Sequence, residues 1–216
     1  MKLKKIASLA LAGIMAVSML AGCSGSSSSN STEEPDVTPV VTDVVAGANN
    51  VINGYAKNVL GISYTEDADL AKALEAAASS TYKSTDIEAI AAYAEDVNAT
   101  STGKGDEVAA KITKSLTGNS KSLDWSTGYF ALNAEETNKA LWIFTVGGSF
   151  GSDDAGAFVA DTMNSVMSTV NMPASSATYK ADYTADIAAV KVTSKEDSSK
   201  SAWVIAVVIT QDITKV

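Results

Sequence analysis

Two runs constrain the fold most strongly: Ala140 to Val146, reading ALWIFTV, and Ala202 to Ile209, reading AWVIAVVI. A short, nearly continuous apolar run bounded by polar residues is the pattern of a buried strand. The second run is the stronger and belongs at the centre of a sheet. Ile187 to Thr193 alternates, with Ala188, Val190 and Val192 inward and Lys191 outward. It pairs with the second run across a polar turn, Ser194 to Lys200. The aromatic stretch Trp125 to Leu132, followed by the polar connector Asn133 to Lys139, makes a first hairpin with Ala140 to Val146. Between the hairpins lies a helix capped at Ser152 or Asp153. It carries Phe158, Val159, Thr162, Met163, Val166, Met167 and Val170 on one face and is closed by Pro173. The C-terminal half therefore reads ββαββ, an antiparallel sheet with helices packed on one face.

Before Gly118 the apolar period is helical. Thr38-Pro39 fits an N-cap and first helical residue. Val37, Val40, Val41, Val44, Val45, Ala48, Val51, Ile52, Tyr55 and Val59 recur at helical spacing. Gly47 and Gly54 weaken that helix, Gly61 ends it, and the β-branched content suits a strand over residues 40 to 45 equally well. Three further helices follow. Asp67 to Ser80 carries Leu70, Ala73, Leu74 and Ala77. Thr85 to Ala99 opens on Thr85-Asp86-Ile87-Glu88, a capping box. Asp106 to Leu116 carries Val108 and Ile112. The fold class is α+β: N-terminal helices followed by the ββαββ unit. Residues 37–216 are long enough to bury a core as a single domain. The alternative division is a helical subdomain at 37–118 and a ββαββ subdomain at 122–216.

The residue inventory removes whole classes of function. The chain is 46% hydrophobic, contains one cysteine, and has neither histidine nor arginine. Its 16 basic residues are all lysine. No imidazole is present to serve as base or metal ligand, and no guanidinium to hold a carboxylate or phosphate in two places. No disulfide framework exists, so the fold stands on its core. Beyond residue 22, 13 lysines face 25 acidic residues, a formal charge of −12. Nucleic acid is excluded as a partner, because phosphate contacts need a basic surface.

The first residues form a unit of their own. Lys2, Lys4 and Lys5 precede an apolar run from Ile6 to Leu20, broken only by Ser8, Gly13 and Ser18. This is the anatomy of a signal peptide, shorter than a comfortable membrane span. It ends on Leu20-Ala21-Gly22-Cys23, which resembles the lipobox of bacterial lipoproteins at all four positions. The resemblance implies cleavage between Gly22 and Cys23 by a type II signal peptidase. It also implies diacylglycerol on the Cys23 thiol and an acyl chain such as palmitate on its amine. Two or three chains hold a protein on a bilayer where one binds marginally. Residues 1–22 are then a signal peptide, and residues 23–36, rich in Ser and ending in acids, are a flexible tether. The expected address is the extracytoplasmic face of the cell membrane. The lysine-only, cysteine-poor composition resembles Gram-positive surface lipoproteins.

Within the mature region each chemical candidate has a plainer reading. Ser80-Thr81-Tyr82-Lys83 and Ser101-Thr102-Gly103-Lys104 match S-x-x-K, the nucleophile motif of penicillin-binding proteins. With 27 serines and 16 lysines in 216 residues, about two such matches arise by chance, and the supporting S-D-N and K-T-G elements are absent. Gly147 to Asp154 has the outline of a phosphate cradle, but Asp153 and Asp154 stand where the phosphate would be. Glu66-Asp67-x-Asp69 and Asp153-Asp154 offer oxygens to calcium and equally fit acidic first turns of helices. Trp125, Tyr129, Trp142 and Trp203 make either a sugar or peptide platform or part of the core. Met163 and Met167 belong to the core. No catalytic, metal or cofactor residue emerges, and Cys23 is the one residue whose chemistry can be named. The expected role is a non-enzymatic binding or interaction module, partnered by the bilayer and by an envelope protein or small ligand. The alternatives are an envelope hydrolase using carboxylates or a Ser/Lys pair, and a structural spacer.

Overall fold

The computed structural model describes residues 35–39, 42–92, 103–116, 119–122 and 130–216. Cys23, the expected signal peptide and residues 24–34 of the expected tether lie outside them, whereas Asp36, which the sequence assigns to the tether, opens β1. The stretch Glu33–Val216 forms one compact unit. Its elements are β1 (Asp36–Pro39), α1 (Thr42–Val51), α2 (Gly54–Asn58), β2 (Tyr64–Glu66), α3 (Ala68–Ser79) and α4 (Ser84–Ala92). They continue with α5 (Gly103–Thr113), β3 (Asn119–Ser122), β4 (Thr137–Gly147), α6 (Ser152–Val170), β5 (Tyr179–Thr193) and β6 (Ser201–Lys215). Helices and a largely antiparallel sheet make this an α+β fold.

The sheet is built around β6, which lies between β5 and β4, antiparallel to both. The β5–β6 pairing runs without interruption from Thr193↔Ser201 to Tyr179↔Lys215. β1 pairs with β5 antiparallel and β2 pairs with β5 parallel, so the N-terminal half contributes strands to the same sheet. Thr38-Pro39, which suits a helix start by sequence, ends β1 instead, and the helix begins only at Thr42. Proline has no N–H to give to a ladder, and an edge strand is where that omission is tolerated.

Of the first hairpin's outer strand, residues 123–129 lie outside the described residues and residues 130–132 are loop, as are residues 133–136; among the described residues the outer partner of β4 is β3, running parallel to it. Phe130 is buried by stacking on Trp142, with ring centroids 6.4 Å apart, so an aromatic that reads as a strand residue anchors a loop.

Helices cover both faces of the sheet, where the sequence placed them on one. From Ile187 to Val192 and from Ala202 to Ile209 every residue but Lys191 is apolar and buried, so both pleat faces of these strands need a cover. One layer is α1, α2 and α6, packed on Trp142, Phe144, Ile187, Trp203, Ile205 and Val207 with Met163 and Met167. The other is α3, α4 and α5, packed on Leu141, Ala188, Val190, Val204, Ala206 and Val208 with Leu74, Ile87 and Ile112. α1 and α6 touch backbone to backbone. A Cβ on Gly47 would fall on the Asp153 carbonyl, and one on Gly156 on the Val44 carbonyl. The glycine that weakens α1 as a sequence is what lets it dock.

Helix starts follow local chemistry. The Asp67 carboxylate caps α3 by accepting from the backbone N–H groups of Asp69 and Leu70 at 2.8 and 3.0 Å. In α4 the cap falls earlier than Thr85. The Asp86 carboxylate accepts from the Lys83 N–H at 2.9 Å, while Ser84 turns inward to accept from the Lys195 N–H at 3.2 Å.

Candidate functional site

The layer of α3, α4 and α5 covers only part of its face. Successive residues of a strand alternate between faces, so Ala188, Val190 and Val192 of β5 share a face with Lys180, Asp182, Thr184 and Asp186. On β6 the same face carries Val204, Ala206 and Val208 and then Thr210, Asp212 and Thr214. Register turns this change of character into rows. Asp182, Asp212 and Thr137 lie across from one another, then Thr184, Thr210 and Lys139, then Asp186, Val208 and Leu141. Thr137, Asp182, Thr184 and Asp212 are exposed, while Lys139, Asp186 and Thr210 are half-buried. The result is an open polar end on a strand face that is otherwise core.

Charges on this face are held but not neutralised by a simple set of pairs. Lys180 reaches Asp182 at 3.2 Å, and the Thr137 hydroxyl donates to Asp212 at 2.6 Å. Asp182 and Asp212 still stand directly opposite each other, an arrangement that costs a sheet up to ~1 kcal/mol. The Asp186 carboxyl lies above the usual carboxylate range. Burial raises it most, the hydrogen bond from Thr65 at 2.7 Å and the positive Lys139 oppose that, and Asp67 adds to the rise.

Beneath these rows, on the opposite face, a buried polar network fixes the same end of the sheet. The fully buried Gln211 amide donates to the Tyr183 hydroxyl at 2.8 Å and to the Phe130 carbonyl at 2.9 Å. Asn138 donates to Gln211 at 3.1 Å and to Glu136 at 3.2 Å. The Tyr183 hydroxyl then donates to the Pro173 carbonyl at 2.9 Å. Burial pushes the Tyr183 phenol far above its ordinary value. The Asn138, Tyr183 and Gln211 side chains all have partners, so the network rigidifies instead of destabilising. It ties the 130–136 loop and the segment after α6 to the central strands.

The motif-based candidates resolve into structural roles. Ser80 is met by a lysine, but from α5, not from its own S-x-x-K motif. Lys111 donates to the Ser80 hydroxyl at 2.9 Å, to its carbonyl at 3.2 Å and to the Thr81 hydroxyl at 2.7 Å. An ammonium donating three bonds has no lone pair with which to take a proton. Ser80 itself donates to the Ala76 carbonyl at 2.7 Å. Ser80 and Lys111 are both exposed, and the arrangement is a cross-helix cap at the C-terminal, negative end of α3. Ser101, of the second S-x-x-K match, lies outside the described residues.

The Gly147 to Asp154 loop is likewise occupied by the fold. The Trp203 indole donates to the Phe150 carbonyl at 3.0 Å, the Gly148 N–H donates to Ser201 at 2.8 Å, and α1 lies against the Asp153 backbone. Asp153 and Asp154 occupy the first turn of α6. Of the acidic group before α3, Asp67 is the cap and Asp69 lies 4.0 Å from Lys72. Among the described residues no three His, Cys, Asp or Glu side chains converge as metal ligands. Trp142 and Trp203 are buried and form no platform, while Trp125 and Tyr129 lie outside the described residues. Met163 and Met167 are fully buried. No helix of the described residues is long and apolar enough to cross a membrane.

The polar rows and the Gln211 network are absent from the sequence reading, which stops the last strand at Ile209. The available signal was alternation: Ile209, Gln211 and Ile213 keep period two with Thr210, Asp212 and Thr214 between them. Comparison with protein-family models, with curated proteins and with solved structures finds no match.

Proposed function

We propose that this chain is a lipid-anchored extracytoplasmic lipoprotein whose folded unit acts as a non-enzymatic interaction module. The observation that carries the reading is the basic and apolar leader ending in Leu20-Ala21-Gly22-Cys23, joined by a Ser-rich stretch to a compact unit. Cys23 is the lipid attachment residue and the bilayer its first partner. The second partner is an envelope protein or small polar ligand, met by the open face of β4, β5 and β6. Two features support that surface. The rows of Asp182 and Asp212 are solvent-facing on a strand pair whose ladder continues unbroken beneath them. They also lie away from where the chain enters the unit, since Asp36 pairs with Thr193 beside the β5–β6 turn.

Two experiments test the two halves separately. Fractionation of cells should find the wild-type chain with membranes and Cys23→Ser released or left as uncut precursor. Membrane-bound, normally processed Cys23→Ser overturns the anchor. A photo-crosslinking residue at Thr184, compared with one at exposed Asp161 on α6, tests the surface. Adducts specific to Thr184 support it, and equal or absent adducts at both sites contradict it.

A further inference from the structure

We draw no further inference here: the strongest candidate, the shallow groove of about 180 Å³ on α6 lined by Ser165, Val166, Thr169 and Val170, is an apolar surface with nothing in the structure to show what covers it.

Discussion

The two faces of one sheet differ in bulk and in extent. The face under α1, α2 and α6 is apolar along nearly the whole of β5, from Ala181 and Tyr183 to Ala189, and carries Trp142, Phe144 and Trp203. Three fully buried methionines, Met163, Met167 and Met172, fill around them. The face under α3, α4 and α5 is made of Ala188, Val190, Val192, Ala202, Val204 and Ala206, and its core ends at Val208. Yet the ladder beneath both faces runs on in register to Tyr179 and Lys215. The polar rows are therefore not a frayed strand end. The same residues that expose Asp182, Thr184 and Asp212 on one side bury Tyr183 and Gln211 on the other. Large side chains secure the fully covered face, and that security lets the opposite face be left open over part of its length.

The contrast in bulk can be broken first by truncation. Met163→Ala removes a fully buried side chain from the larger layer and should cost about 2–5 kcal/mol. Val204→Ala in the smaller layer should cost about 1.5–2.5 kcal/mol, from two fewer methyl groups plus a small cavity. Equal losses in urea titrations of the two variants would remove the distinction. Gly156→Ala comes next. Its methyl has no space against the Val44 carbonyl, so α1 and α6 must separate, at a net cost of about 2–3 kcal/mol despite alanine's better helix propensity. A neutral or stabilised Gly156→Ala would show that the helices do not touch. Gln211→Leu leaves Tyr183 and the Phe130 carbonyl without their shared donor and should cost about 2 kcal/mol. It should also speed amide exchange in the 130–136 loop.

Smaller effects probe the open rows. The raised Asp186 carboxyl means the folded state holds its proton more tightly than the unfolded chain does. Its contribution to stability is thus present below the unfolded carboxylate range and is lost as pH rises through the folded value. Asp186→Asn should therefore raise Tm at neutral pH, with the gain shrinking as pH falls into the carboxylate range. A gain independent of pH would refute the assignment. Asp212→Asn should change stability least, by under ~1 kcal/mol, because relief of the opposition to Asp182 is offset by a weaker bond from Thr137.

How much of this was legible follows from where the two faces agree. α3, α5 and α6, and the apolar stretches of β4, β5 and β6, lie close to their sequence positions because a helical stripe or a continuous apolar run marks each of them. The extended halves of β5 and β6 were hidden because one face turns polar there: Asp182, Thr184, Thr210 and Asp212 dilute the hydrophobic signal of Ala181, Tyr183 and Ile213, and the inward position 211 is itself a polar glutamine. β2 and β3 are three and four residues long, too short to carry a period, and they exist through pairing with β5 and β4. Pro39 misled because its two roles, first residue of a helix and member of an edge strand, share one backbone angle. Among candidate sites, Cys23 rests on the leader alone. The polar face could not be read from single residues, since only register brings Asp182, Asp212 and Thr137 into one row.

The most direct test joins the open face to the extracytoplasmic address. Cys23 is the only native thiol, so single cysteines at Thr184 and at buried Ile205, each in the full chain, can be probed on intact spheroplasts with a membrane-impermeant maleimide. Rapid labelling is expected at position 184, with position 205 protected until the protein is unfolded. Position 184 labelled only after lysis would contradict the address. Position 184 protected even in the lysed, folded protein would contradict the open face.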